Sequence, residues 1–170
     1  MRALGTLPAL AVAVLAQSAS GGFEWRGAPT VDLVLVVVVY VALTGGPVAG
    51  LAAGTLGGLV QDALSTGILG MGGLAKTVVG FLAGRFGTQF IVTATVPRIV
   101  TFAAATAAHA VLFMGAYALL GLRSFPDPMT AVAIQAAGNG LAGVVCFQLS
   151  EWLPRAIERR RATRGMRVSR

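Results

Sequence analysis

Residues 33–61 read LVLVVVVYVALTGGPVAGLAAGTLGGLVQ, a stretch without a single charged side chain. As one helix rising about 1.5 Å per residue it would measure roughly 43 Å, against a bilayer hydrocarbon core of about 30 Å. Gly45-Gly46-Pro47 interrupts it, and that tripeptide is a strong helix breaker. The stretch therefore reads as two short helices, about Thr30 to Thr44 and Pro47 to Ser65, and a further one follows from about Gly70 to Arg85. Outward from this centre, Ala3 to Phe23, Ile99 to Leu122 and Pro128 to Ser150 are charge-free and long enough to cross a membrane. The pattern predicts an all-α polytopic membrane protein of about six transmembrane helices in a compact bundle. Its transmembrane domain covers 1–154, and a basic cytoplasmic tail covers 155–170.

Composition agrees with that reading. Of 170 residues, 56% are hydrophobic and only 11% charged, whereas soluble domains carry about 25% charged residues. The net charge of +7 is unevenly placed: the last sixteen residues hold +6, and the preceding 154 hold +1. Short cytoplasmic loops are enriched in Lys and Arg. With six helices and the N-terminus inside, Arg2, Arg85, Arg98 and the seven tail arginines are inner, and only Arg26 and Arg123 are outer. Both termini are thus expected on the cytoplasmic side of the membrane. The tail, with Arg155, Arg159, Arg160, Arg161 and Arg164, is expected to meet anionic lipid, or else an acidic cytoplasmic partner. Nucleic acid is not expected, because no nucleic-acid-binding fold accompanies the charge. Arg2, an apolar run and small-residue triplets at 16–20 also fit a cleavable signal peptide, which would leave five helices and every later orientation unchanged.

Small residues mark where helices meet, since lipid is as apolar as leucine and association rests on close packing. Gly50, Gly54 and Gly58 share one face of the third helix, and Gly80 and Gly84 one face of the fourth. Gln135, Asn139, Ala142, Cys146 and Ser150 share a face of the sixth. That stripe is either an interhelical hydrogen-bonding seam or a surface for a partner or ligand. Ionisable groups within spans are expensive and are functional candidates by default. Asp62 and Lys76 fall at similar depths and are expected to pair across the third and fourth helices. His109 is read as a neutral core histidine, with a metal or proton site as the other reading. Glu151 beside Trp152 reads as an interfacial anchor. One His, one Cys and no paired carboxylates at catalytic spacing predict neither enzyme, cofactor nor metal site.

The third helix and its turn carry a more specific pattern. Gly54-Thr55-Leu56-Gly57-Gly58-Leu59-Val60-Gln61-Asp62-Ala63-Leu64-Ser65-Thr66-Gly67-Ile68-Leu69-Gly70 is followed by Leu74, Gly80 and Gly84-Arg85. It resembles the hairpin signature of the rod shape-determining MreD family, closely over residues 50 to 85. The departures are Lys76, where such proteins are usually apolar, and the arginine-rich tail. The resemblance implies that Gly54, Gly58, Gln61, Asp62, Ser65, Gly67, Gly70, Lys76, Gly80 and Gly84 form a structural or partner-binding motif. It further implies a non-enzymatic scaffold of the cell elongation machinery, binding MreC and acting directly or indirectly with MreB, RodA and its penicillin-binding transpeptidase in lateral peptidoglycan synthesis.

The family's fold has been likened to the six-helix substrate-binding subunits of energy-coupling-factor vitamin transporters, and that likeness supplies the alternative function. A vitamin site wants convergent polar and aromatic groups near the outer loops. The chain has 12 Phe, Trp and Tyr residues in all and few polar residues on that side, so the scaffold reading is preferred.

Overall fold

The computed structural model describes the backbone of residues 3–19, 24–25, 28–29, 31–65, 67–90, 94–122 and 127–168, and side-chain surroundings over 7–19, 31–65, 67–90, 94–122 and 127–152. The architecture is helical: α1 (Ala3–Ala19), α2 (Leu33–Gly45), α3 (Pro47–Leu64), α4 (Met71–Gln89), α5 (Thr95–Leu119) and α6 (Pro128–Val168). Between α1 and α2 lies a short ribbon, β1 (Glu24–Trp25) pairing antiparallel with β2 (Ala28–Pro29). α6 runs past residue 154 without a break, so the arginines from Arg155 to Arg164 lie on helical backbone, their side chains outside the described residues.

α2 is the axis of the bundle. It packs against α1, α3, α4, α5 and α6, and Val34, Leu35, Val36, Val38, Val39, Val41 and Ala42 are all buried. A helix apolar all round belongs in a core or in lipid, and this one leaves the face of Leu33, Val37, Tyr40 and Thr44 partly open. Asp32 stops it at the start: the Asp32 carboxylate accepts from Leu35 N at 2.9 Å, the geometry of an N-cap. Gly46, at φ +88°, ends it and begins α3 with Pro47 in the first helical position. The left-handed backbone there needs glycine, and proline suits the first turn of a helix. One residue therefore separates two antiparallel helices.

Two apolar clusters flank α2. One joins it to α4, α5 and α6 through Leu35, Val39, Val79, Phe102 and Phe147. The other joins it to α1 and α3 through Leu10, Val14, Val34, Val38 and Ala53. Elsewhere the usual arrangement of large residues inside is reversed. α3 buries Gly50, Ala53, Gly54, Gly57 and Gly58 and exposes Leu51, Leu56, Leu59, Val60 and Leu64. α4 buries Gly72, Gly73, Ala75, Gly80 and Gly84 and exposes Leu74, Phe81, Leu82 and Phe86. An apolar surface over a small-residue interior is what lipid as solvent selects.

The six expected helices are present with ends close to those expected, except that α6 runs on to Val168 instead of stopping at Ser150, and they differ in their fitness to span. Among the described residues, Thr95–Leu119 and Pro128–Trp152 are long and apolar enough to cross a membrane on their own. The apolar parts of α1 and α2 are shorter, Leu7–Ala19 and Leu33–Gly45.

Candidate functional site: a polar cluster at the entry of α2

The glycine motif forms a backbone-to-backbone seam between α3 and α4. A side chain at Gly50 or Gly80 would strike the other's carbonyl oxygen. One at Gly54 would strike the backbone of Lys76 and Thr77, one at Gly58 that of Gly73, and one at Gly84 that of Gly46 and Pro47. Close approach of backbones is what G-x-x-x-G spacing permits. Thr55 and Thr77 hydroxyls meet across the same seam at 2.9 Å, and Thr77 also donates to Gly73 O at 2.7 Å.

Past the seam, Asp62 folds the turn. The Asp62 Oδ2 accepts from Gly70 N and from Gly73 N, each at 2.9 Å, satisfying orphan donors at the start of α4 and placing a negative charge at the positive end of its dipole. Gly70 takes φ +96°, Ser65 Oγ donates to Asp62 O at 3.0 Å, and Gly67 N donates to Ser65 Oγ at 3.4 Å. Tyr117 on α5 holds the turn by accepting from Ile68 N at 3.2 Å. Gln61 is half-buried, and its amide oxygen finds no hydrogen-bond partner among the described residues.

The expected Asp62–Lys76 pair is not formed. In the antiparallel register Lys76 stands level with Gly54, eight residues or about 12 Å deeper along α3 than Asp62. Lys76 Nζ instead lies 2.8 Å from Asp32 Oδ2, both side chains almost fully buried. It also approaches His109 Nε2 at 3.3 Å. An ammonium only donates, so that ring nitrogen accepts and His109 is neutral there. His109 stacks on Phe113 at 5.8 Å between centroids, and Phe113 leads to Tyr117 at 4.9 Å. This is the hydrogen-bonded core histidine of the two readings, and no group of three potential metal ligands occurs among the described residues.

The α6 stripe joins the same cluster. Asn139, with no exposed surface, accepts from Asp32 N at 2.9 Å and donates to Thr106 Oγ1 at 2.9 Å, which in turn donates to Phe102 O at 2.8 Å. Gln135 is buried one turn away and is also engaged. Ala142 and Cys146 pack against the apolar cluster, and Ser150 Oγ bonds Phe147 O at 2.7 Å. The stripe thus faces its neighbours, with Asn139 making the interhelical hydrogen bonds and Ser150 bonding within α6. From α1, Gln17 completes the cluster: its Nε2 donates to Val31 O at 3.2 Å and its Oε1 accepts from Leu33 N at 2.9 Å. The entry of α2 is gripped from α1, α4 and α6, with α5 holding Lys76 and Asn139 from behind, and each grip is a polar group that lipid could not satisfy.

At the opposite end of the bundle, Arg98 bonds Glu151 at 2.9 Å, and its guanidinium lies 4.3 Å from the Phe147 ring centroid. Glu151 therefore ties α5 to α6 where an interfacial anchor was expected.

The glycine seam, the Asp62-capped turn and the helix around them fall within residues 7–136, which match the family described as rod shape-determining protein MreD. The chain belongs to the MreD family. Membership makes it a membrane protein with a role in rod shape determination, in a family of shape-determining proteins rather than enzymes. No curated protein and no solved structure matches the chain significantly. The MreD match begins inside α1 and ends in the first turns of α6, so it takes in Gln17, Asp32, Lys76 and His109, and it stops just short of Asn139.

Asp32, Gln17 and Thr106 are the members that sequence reasoning missed. For Asp32 a signal existed, because an Asp immediately before an apolar run is an N-cap signature. Starting the helix at Thr30 hid it. Gln17 and Thr106 carried no such mark, since each looks like an isolated polar residue in an apolar helix.

Proposed function

We propose that the chain is a non-enzymatic scaffold of the bacterial cell elongation machinery, with all six helices embedded in the cytoplasmic membrane and both termini on the cytoplasmic side. It binds MreC and, directly or through it, works with MreB, RodA and its penicillin-binding transpeptidase during lateral peptidoglycan synthesis. The basic end of α6 meets anionic lipid. The observation that carries this reading is the family match over residues 7–136. The apolar surface over a small-residue interior supports the membrane setting. The bias of basic residues toward one set of connections supports the orientation.

In this reading the glycine seam and the polar cluster are the rigid frame, and partner contact uses the surface the frame presents. The vitamin-carrier alternative needs free polar groups facing an outer cavity. Asp62 and Asn139, the strongest candidates for that work, are committed to backbone and to neighbouring helices. The test is co-purification in nanodiscs with MreC and, separately, mass analysis for bound small molecules. Stoichiometric MreC is the expected result, and a retained vitamin without MreC would sink the scaffold.

A further inference from the structure

α2 is poorly equipped to remain in a bilayer by itself. Its 13 residues span about 20 Å against a hydrocarbon core of about 30 Å, and its first turn is capped by a carboxylate. α4 is poorly equipped too, with a lysine in its second turn and glycine at five of its 19 positions. Neither is among the helices long and apolar enough to cross alone. Yet the two charges that make each helix unfit are 2.8 Å apart and almost fully buried.

We infer that the Asp32–Lys76 pair is an insertion clamp: α2 is held at membrane depth by α4, and the charge on each helix is tolerated there only because the other supplies its counter-ion. The inference rests on the embedded six-helix reading above. An uncompensated charge buried at membrane depth is penalised heavily, and a paired one with its hydrogen bonds met much less. The surroundings are arranged to keep the pair in register. Asp32 Oδ1 is occupied by Leu35 N and the Asp32 amide by Asn139, so the carboxylate cannot swing away. His109 Nε2 accepts a second hydrogen bond from the Lys76 ammonium, and the close passage of α4 over Gly54 fixes the level of the Lys76 backbone. α5 and α6 need no such device, which divides the bundle into a self-sufficient pair and a mutually dependent set.

The test places a single cysteine at mid-α2, Val37→Cys, in a full-length chain carrying Cys146→Ala, and measures labelling by a charged maleimide in membrane fragments open on both faces. The parent is expected to be protected until detergent denaturation. Lys76→Met, which keeps the stem and removes the charge, is expected to raise labelling by about a hundredfold, the weight of one unpaired charge in a span. Asp32→Asn together with Lys76→Met is expected to restore protection, because asparagine still caps the helix. Labelling of the parent would overturn the embedded reading itself. Protection of both parent and Lys76→Met would overturn the clamp alone, as would equal labelling of the single and double variants. If Lys76→Met does not accumulate, accumulation becomes the readout: recovery in the double variant upholds the clamp, and none overturns it.

Discussion

The seam between α3 and α4 and the cluster at the entry of α2 hold the same bundle together by opposite means. The seam has almost no side chains: Gly50 meets Gly80, Gly58 meets Gly73, and the stabilisation is van der Waals contact between backbones. The cluster is all side chains: Asp32, Lys76, His109, Asn139, Thr106 and Gln17 satisfy one another where water is absent. The seam is intolerant of added volume, and the cluster is intolerant of a missing partner. The first sets how close helices come, and the second sets which residues stand level.

The sharpest way to break this contrast is to add bulk to the seam. Gly80→Leu should be the most damaging single change, above about 3 kcal/mol, because the obstacle is the Gly50 carbonyl and not a movable side chain. Loss of monodisperse protein in detergent size-exclusion checks it, and a normal profile would show that the seam is softer than drawn. Next comes Asn139→Leu, which keeps volume and removes two buried bonds, leaving the Asp32 amide unpaired; about 2 kcal/mol is expected by thermal unfolding in detergent. Asp62→Ala, which uncaps α4, should cost about 1 kcal/mol, with Asp62→Asn much milder. Glu151→Gln should be smallest, under about 0.5 kcal/mol and shrinking with added salt, since Glu151 is half exposed. A larger Glu151 effect than Asn139 effect would invert the ranking and move the weight of the polar contacts to the opposite end.

The two regions also differ in how far they could be read from sequence. The seam was legible because its signal is local: glycines four apart name a face, and the Gly45-Gly46-Pro47 break fixes which faces can meet. The cluster was half legible. Lys76, His109, Gln135 and Asn139 stood out as polar groups in apolar helices, but their partners came from other helices, and no short-range period connects α2 with α4 or α6. Pairing Lys76 with Asp62 followed chain proximity, whereas the antiparallel register put Lys76 two turns too deep for it. Asp32 was hidden because a helix boundary placed three residues early, at Thr30 instead of Leu33, turned a cap into an interior residue.

The small-residue interior has a practical corollary for anyone mapping this protein by mutation. Alanine scanning asks what is lost when a side chain is cut back, and along α3 and α4 the buried positions have almost nothing to cut. At Leu51, Leu56 or Phe81, whose side chains face outward, the same substitution only trims the surface, whereas at Gly50 or Gly80 it adds the one carbon whose place the facing carbonyl already occupies. A result of alanine scanning on this protein therefore reads as added volume at the buried glycines and as lost surface elsewhere, and the buried alanines need a larger replacement before they report at all.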